Sequence, residues 1–182
     1  MIEMPTSKTY QLLEAGPIVL VTTQQSGRPN VMTLGFHMMV QHAPPLIGCV
    51  VGPWDHSYKA FRKTSECVIA VPTVDLAHKV VDIGNCSGSD IDKFSRFELT
   101  AVKAAEVRAP LIQECFANIE CRVVDVTLVG KYNLFILQAI RGFCCKRCGE
   151  LFEVGDSEAG CERARWRWIS TAHSRKGTSR PR

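Results

Sequence analysis

Short apolar runs separated by turn residues dominate the first 140 positions of the chain. β-branched and aromatic residues are frequent in these runs, as in strands. Strands are predicted at residues 16–23, 30–40, 45–52 and 66–72, and a long hairpin around Gly130-Lys131. Helical spacing interrupts them at residues 57–64 and 75–84. The pattern predicts an α+β, mainly β fold built around an antiparallel sheet or barrel.

The second predicted strand carries residues that a buried sheet rarely uses. Asn30, Met32, Thr33 and Gly35 stand where Val, Ile or Phe would be typical. Small or polar residues let another molecule approach the main chain and offer it hydrogen bonds. We therefore expect this strand to face something other than protein.

Two segments have the composition of anion sites. Ser57 stands where the first predicted helix begins, and the start of a helix favours a phosphate. The alternative is that Ser57 only caps its own helix. Ser87, Gly88 and Ser89 form a predicted loop ahead of Lys93, which could cradle a phosphate or be merely solvated.

The charge distribution argues against nucleic acid as a partner. The net charge is +4, but residues 1–140 carry 12 Lys/Arg against 13 Asp/Glu, and residues 141–182 carry 10 against 5. The basic character therefore belongs to the C-terminal segment, whereas nucleic-acid binding needs a basic face on the folded body.

The cysteines and the N-terminus indicate a reducing, cytoplasmic setting. Nine cysteines make an odd count, and those before the C-terminal segment stand singly. No basic-then-apolar leader and no membrane-length apolar run is present. Cys145 and Cys148 form a C-x-x-C pair, and Cys161 and His173 could complete a set of four zinc ligands. A structural zinc site normally has two closely spaced ligand pairs, and only one is present, so no metal is predicted.

Four segments in this order resemble the flavin reductase-like family, the FMN-binding split-barrel group that includes the flavoredoxins. They are "GPIVLVTT…GRPNVMTLGF", "PPLIGCVV…HSYKAF", "SGSDIDKF" and "APLIQECFANIECRVVD", within about residues 10–140. The resemblance implies a six-stranded antiparallel split β-barrel with inserted helices. It also implies a homodimer with one FMN per subunit near the dimer interface.

The resemblance also assigns candidate flavin contacts, position by position. Asn30 matches the family's flavin-facing Asn, Ser57 a phosphate-binding Thr or Ser, and Lys93 the Lys of a D-K-F motif. Phe36 replaces a frequent Trp, and Tyr132 stands where relatives often carry a His. The full predicted set is Asn30, Val31, Met32, Thr33, Phe36, Ser57, Ser87, Gly88, Lys93 and Tyr132.

The function that the resemblance implies is an FMN-dependent oxidoreductase, with electrons passing from NADH, NADPH or a protein donor to a small-molecule or protein acceptor. No acid–base pair or nucleophile is recognisable in the sequence, as expected where the flavin carries the chemistry. Two alternatives stay open: a non-enzymatic FMN electron carrier, and a scaffold that has lost flavin. The predicted domain is residues 1–145, followed by a divergent segment, 146–182, with a basic mobile end.

Overall fold

The computed structural model describes residues 17–144 of the chain. Short strands predominate within them, as the apolar runs predict. The strands are β1 Val19–Gln25, β2 Arg28–Leu34, β3 His37–Gln41, β4 Leu46–Val50, β5 Glu66–Val71, β6 Ala101–Val102, β7 Leu111–Ile112, β8 Ala117–Asp125 and β9 Leu134–Cys144. The helices are α1 Ser57–Thr64, α2 Ala77–Gly84, α3 Lys93–Arg96 and α4 Val129–Tyr132, with a 3-10 turn, Val74–Leu76, before α2.

Seven of these strands form one sheet in the order β2-β1-β5-β8-β9-β4-β3, and β6 pairs with β7. The registered pairs are antiparallel, which confirms the predicted mainly β architecture. The predicted strand count of six is one too low for this sheet. The run 30–40 is two strands, because the chain turns at Gly35, whose carbonyl accepts the His37 amide at 3.1 Å. β2 then pairs with β1, and β3 pairs with β4.

The larger core cluster lies on one face of a curled sheet. It brings together residues from strands far apart in the strand order, including Leu34 of β2, Ile47 of β4 and Phe135 of β9. Phe61 of α1 closes this face, with its ring 5.3 Å from that of Phe135 in an edge-to-face arrangement. The helix spans residues 57–64, as its apolar spacing predicts, with Tyr58 and Phe61 packed into this cluster.

A second cluster covers the opposite face. Leu20 of β1 and Val31 of β2 pack there against Val80 and Ile83 of α2 and Phe94 of α3. The loop that leads from α2 to α3 is therefore held against β2, and this loop and the start of α1 both lie beside that strand. The fold places two candidate anion segments next to the strand that carries Asn30.

The connection between β8 and β9 differs from the predicted turn. Gly130 and Lys131 lie within α4, and the chain turns instead at Asn133, which has a left-handed φ of 56°. Asn tolerates this conformation better than most residues. The two strands flank Gly130-Lys131 and are neighbours in the sheet, as predicted, but a short helix takes the place of a tight turn.

Three thiols are sealed in the larger core cluster. Cys49, Cys67 and Cys121 have no solvent exposure, and Cys67 lies directly opposite Cys121 in the β5–β8 pair. Burial raises the pKa of Cys49 to about 12, and a hydrogen bond with Cys121 followed by burial raises that of Cys67 well above 9.0. The thiols of Cys49 and Cys67 therefore stay protonated and unreactive at neutral pH.

Several sequence features fall outside the described residues. These are the possible zinc ligands Cys145, Cys148, Cys161 and His173, together with Trp166 and Trp168. The predicted boundary at residue 145 stays a prediction for the same reason. Among the described residues, no helix is long and apolar enough to cross a membrane.

One buried carboxylate anchors the loop that precedes β7. Glu120 of β8 has no solvent exposure. Its Oε1 accepts the amide of Ala105 at 2.9 Å, and its Oε2 accepts those of Glu106 at 2.6 Å and Val107 at 3.0 Å. Three amide donors compensate a buried charge that has no ion-pair partner among the described residues.

We expect Glu120→Gln to lower the free energy of unfolding by about 1–3 kcal/mol, because an amide supplies one acceptor oxygen and leaves a buried donor without its partner. Urea denaturation followed by circular dichroism measures the change. Glu98→Gln, at a side chain 90% exposed, is the control and should stay within about 0.5 kcal/mol. Equal stability of both variants would contradict an anchoring role for Glu120.

Candidate functional site

A cavity runs along the outer edge of β2. β2 pairs only with β1, so its other edge is free of strand partners in the described sheet. We call it the inner cavity, and its volume is about 240 Å³. It is lined by Asn30, Met32 and Thr33 of β2, by residues 54–57, by residues 83–88 and by Lys93. Seven of the ten predicted flavin contacts therefore line one cavity, although they come from three separate segments of the chain.

Asn30 and Ser57 connect two of those segments. The Asn30 side-chain nitrogen donates to the Ser57 hydroxyl oxygen at 2.9 Å, and both side chains are buried. Gly88 packs directly on this pair, since a Cβ there would lie 2.1 Å from Asn30 Oδ1. Only glycine allows the loop to approach Asn30 this closely.

Ser57 does not cap its own helix. His56 occupies the N-cap position, with φ −55° and ψ −36°, and makes no side-chain cap hydrogen bond. Ser57 is the first residue of α1, and its hydroxyl oxygen accepts from Asn30. A hydroxyl that accepts one hydrogen bond still has its own hydrogen to donate. The capping alternative raised from the sequence is therefore wrong.

Lys93 contributes a buried positive charge. Only 5% of the residue is exposed, and its Nζ donates to the Ile83 carbonyl at 2.9 Å. It forms no ion pair within residues 17–144. Burial has the largest effect and lowers the pKa of Lys93, while Cys86 and Asp55 act in the other direction. The solvated-loop alternative for this lysine is wrong.

The remaining β2 residues divide between the cavity and the core. Met32 is partly buried and packs against the larger core cluster. The Thr33 hydroxyl donates to the Val80 carbonyl at 2.5 Å, which ties β2 to α2. The Val31 side chain is fully buried in the second cluster, so Val31 can reach a ligand at the strand edge only through its backbone.

The serine loop is braced by its own hydrogen bonds. The Ser87 and Ser89 hydroxyls lie 2.7 Å apart, and the Ser89 amide donates to Ser87 Oγ at 3.2 Å. Asp92 then caps α3 by accepting from the Ser95 amide at 3.3 Å and the Ser95 hydroxyl at 2.7 Å. These hydrogen bonds lower the pKa of the Asp92 carboxyl. The loop therefore has a definite shape where it faces the cavity.

A larger groove adjoins the cavity on the side where β2 begins. This outer groove has a volume of about 720 Å³ and shares Asn30, His56 and Gly88 with the inner cavity. Its other walls come from the β1–β2 turn, from Lys59 and Ala60 of α1 and from residues 89–92. The cavity and the groove together form a continuous cleft between β2, α1 and the 83–93 loop.

Phe36 and Tyr132 do not line the inner cavity. Phe36 is 48% exposed and Tyr132 is 53% exposed. Both flank the end of β4, because the Phe36 carbonyl accepts the amide of Val50, and the Asn133 carbonyl accepts that of Val51. Their predicted flavin contact stays a prediction.

Sequence reasoning missed seven of the residues that line the inner cavity: Trp54, Asp55, His56, Ile83, Gly84, Asn85 and Cys86. Trp54 is 76% exposed and its ring lies against Gly52, where a Cβ would approach it to 2.3 Å. Asp55 accepts the Gly52 amide at 2.8 Å and so shapes the turn before α1. His56 and Cys86 also line the cavity. The sequence signal that could have identified Trp54, Asp55, His56 and Cys86 was their closeness along the chain to Ser57 and Ser87.

Comparison with known proteins agrees with this architecture. The flavin reductase like domain matches residues 12–150. An uncharacterized protein of Archaeoglobus fulgidus is 36% identical over 109 residues, which are 60% of this chain and 62% of that relative. The match therefore spans about three fifths of the relative's length.

Two solved structures are similar over most of their length. One is an FMN-binding domain of a flavin reductases-like enzyme from Shewanella baltica, at 26% identity and a TM-score of 0.68, covering 78% of this chain and 75% of that one. The other is a flavoredoxin from Methanosarcina acetivorans, at 25% identity and a TM-score of 0.64, covering 71% and 69%. The predicted split-barrel class is confirmed, and the chain belongs to the flavin reductase-like domain family.

Proposed function

We propose that this protein is an FMN-dependent oxidoreductase of the flavin reductase or flavoredoxin type. In this proposal it passes electrons from NADH, NADPH or a protein donor through bound FMN to an acceptor. The observation that carries the proposal is the buried Lys93 ammonium beside Ser57, in a cavity along the free edge of β2. Membership of the family supports a flavin-binding oxidoreductase function. The electron donor, the electron acceptor and the residues that bind FMN are what we propose here.

The chemistry of the cavity fits the phosphate of FMN. An ammonium has three N–H donors. Ile83 accepts one from Lys93, and no described carboxylate lies within ion-pair distance. The Asp55 carboxylate acts on Lys93 from beyond that distance, so a bound phosphate would be the direct counterion of this buried charge. The Ser57 hydroxyl, with its hydrogen free to donate, lines the same cavity.

The strand edge fits the polar side of a flavin ring. An edge strand presents main-chain N–H and C=O groups that no neighbouring strand satisfies. Asn30 and Thr33 already direct their side-chain groups to Ser57 and Val80, so they hold β2 in place from both sides. Met32 adds a polarisable apolar surface beside them.

When bound, FMN supplies hydride and electron transfer, and the protein supplies binding and orientation. Lys93 and Ser57 would hold the phosphate, and the β2 edge would orient the ring. Gly88 keeps the loop close to Asn30, so that the same loop contacts both the strand and the phosphate segment. None of these residues needs to act as a nucleophile.

We also propose a cytoplasmic homodimer. Met38, Met39 and Val40 of β3 are 57%, 55% and 50% exposed, and β3 is the other edge of the seven-stranded sheet. Exposed apolar edge strands are usually covered by a partner. Phe36 and Tyr132, exposed at the end of β4, would then lie in or near the interface. The described cysteines are free thiols, as is usual in a reducing compartment.

The redox proposal is tested by the visible spectrum of the purified protein. We expect a yellow protein that releases FMN on denaturation and whose flavin absorbance bleaches rapidly when NADH or NADPH is added without oxygen. Stable FMN binding without bleaching by either nucleotide would favour the electron-carrier alternative. A protein that binds no FMN would contradict the proposal altogether.

The phosphate assignment is tested with Lys93→Ala. We expect it to remove a charge-assisted contact of about 1.5–3 kcal/mol. Since about 1.4 kcal/mol is tenfold, FMN should bind about ten to a hundred times more weakly. Riboflavin, which lacks the phosphate, should bind almost as before. Fluorescence quenching measures both affinities, and Lys63→Ala on the exposed side of α1 is the matched charge-removal control.

The pH dependence of flavin binding gives a second measurement of the same residue. Burial holds the pKa of Lys93 below its usual 10.5, so the ammonium is lost earlier than in an exposed lysine. The affinity for FMN should fall as the pH is raised from 8 towards 10.5, and riboflavin should not follow. Equal weakening of FMN and riboflavin, by pH or by substitution, would place Lys93 outside the phosphate site.

The dimer is tested by light scattering at micromolar concentration. We expect twice the chain mass of 20.2 kDa. Met39→Lys puts a charge in the exposed apolar edge and should shift the protein to the monomer mass. Val81→Lys, at an equally exposed position on α2 (60% exposed), is the control and should remain dimeric. A monomeric parent protein would rule out this interface.

A further inference from the structure

A pocket apart from the proposed flavin site lies between the β1–β2 turn and the two-stranded ribbon of β6 and β7. We call it the ribbon pocket, and its volume of about 430 Å³ is within the range of small-ligand sites. One wall is the β1–β2 turn, and the other is formed by residues 101–103 and by the segment that leads into β7. The lining shares no residue with the inner cavity and only Pro29 with the outer groove.

The segment that leads into β7 is held in one shape by side chains from three strands. It has no helix or strand of its own. Glu120 of β8 accepts three of its main-chain amides. The Thr22 hydroxyl of β1 donates to the Pro110 carbonyl at 2.6 Å, and Oε2 of Glu66 in β5 accepts the Arg108 amide at 3.2 Å. Irregular surface segments are usually mobile, so these contacts keep this wall of the pocket preformed.

The Arg108 side chain lines the ribbon pocket and is oriented by Glu66. Its Nε donates to Glu66 Oε2 at 3.0 Å, while the side chain stays 64% exposed. A guanidinium has five N–H donors, so four remain on the two terminal nitrogens. These make one parallel pair that matches the two oxygens of a carboxylate. The contact with Glu66 leaves that pair free of partners within residues 17–144.

The ribbon pocket has one more positive charge than the described residues neutralise. Lys103 lines it and forms no ion pair within the described part of the chain. No described residue of the lining is acidic, and Glu66, which pairs with Arg108, lies outside it. One uncompensated cation beside a free guanidinium edge suits a singly charged carboxylate better than a doubly charged phosphate.

Most of the remaining lining is apolar. Ala101, Val102, Val107 and Pro110 lie on one wall, and Pro29 lies on the other. Val102 is 37% exposed, although it belongs to a strand. The apolar body of a ligand would cover these side chains, and burial of apolar surface favours binding. The lining therefore matches an apolar group attached to a carboxylate.

We propose that the ribbon pocket binds an apolar monocarboxylate whose body is the size of a medium-chain acyl group. Arg108 and Lys103 hold the carboxylate, and the apolar walls enclose the acyl chain. The inference does not rest on the proposed flavin function, because no residue of the ribbon pocket lines the inner cavity. The carboxylate and FMN therefore bind independently of each other.

The probe is octanoate, titrated into the isotope-labelled full chain and followed by two-dimensional NMR. Octanol, which has the same chain and no charge, and inorganic phosphate, which has charge and no chain, are the matched probes. We expect octanoate to shift the amide resonances of Gly27, Val102 and Arg108 and to leave that of Ser57 unchanged. Addition of FMN should leave the affinity for octanoate within about twofold.

Substitutions on both sides of the pocket test the assignment of its residues. Arg108→Ala and Lys103→Ala should each weaken octanoate about three- to tenfold. Val102→Asp puts a carboxylate into the apolar wall and should weaken it at least as much. The controls Lys63→Ala and Val81→Asp change the charge at exposed positions outside the pocket and should stay within about twofold. Circular dichroism shows whether each variant keeps the fold.

Several outcomes would overturn the proposal. One is that octanoate does not bind at concentrations up to about 10 mM. Another is that octanol or phosphate binds as tightly as octanoate, because the site would then recognise only one half of the ligand. Equal weakening by the control variants would show an unspecific charge effect. Resonance shifts confined to the inner cavity would place octanoate in the proposed flavin site instead.

Discussion

The site is organised around one buried ammonium. Lys93 is enclosed by the fold, yet its described partner is a neutral carbonyl at the end of α2 rather than a carboxylate. Taking an ammonium out of water is costly, and one neutral hydrogen bond compensates only part of that cost. In the proposed function, the phosphate of FMN supplies the negative charge that the described contacts of Lys93 lack. In that proposal, the position of the charge decides which end of the cavity would hold the phosphate.

The rest of the site follows from how that charge is held. α2 packs on the face of the sheet that carries Val31, and Thr33 reaches across to the Val80 carbonyl, so the end of α2 is fixed relative to β2. Asn30 fixes the start of α1 to the same strand through Ser57. Two side chains three residues apart therefore set the spacing of the two segments that are proposed to bind the phosphate. The polar residues that looked misplaced in a strand are the ones that position its neighbours.

Much of this could be predicted from sequence because the signals were local. The bounds of α1 follow from its apolar spacing, and the composition of β1, β4, β5, β8 and β9 predicts strands. The break between β2 and β3 was missed because Gly35 is the only residue there that signals the end of a strand. That β3 pairs with β4 rather than with β1 depends on the tertiary structure, which the local sequence does not show. The helix at Gly130 was missed because a Gly-Lys pair between two apolar runs is a typical turn signal.

The site was partly predictable for a different reason. The order of the quoted segments identified Asn30, Ser57 and Lys93, but no local pattern distinguishes a solvated lysine from one that is 5% exposed. Local sequence also does not reveal that Val31 is buried in the second core cluster, or that Arg28 and Lys59 both line the outer groove. Both facts depend on how β2 packs against α1 and α2. Sequence identifies the residue types, and packing decides which of them share a surface.

The two core clusters separate redox-capable sulfur from the proposed flavin. The thiols of Cys49, Cys67 and Cys121 are inside the larger cluster, where burial and their mutual contacts raise the pKa of Cys49 and Cys67. Cys115 is buried in the second cluster, with its pKa raised to about 12 by burial. A thiol reacts as the thiolate, so Cys49, Cys67 and Cys115 stay unreactive at neutral pH. Cys86 differs, because it is only partly buried and lines the inner cavity. The four thiols of the core clusters line neither the inner cavity nor the outer groove, so the fold keeps them apart from the proposed flavin site.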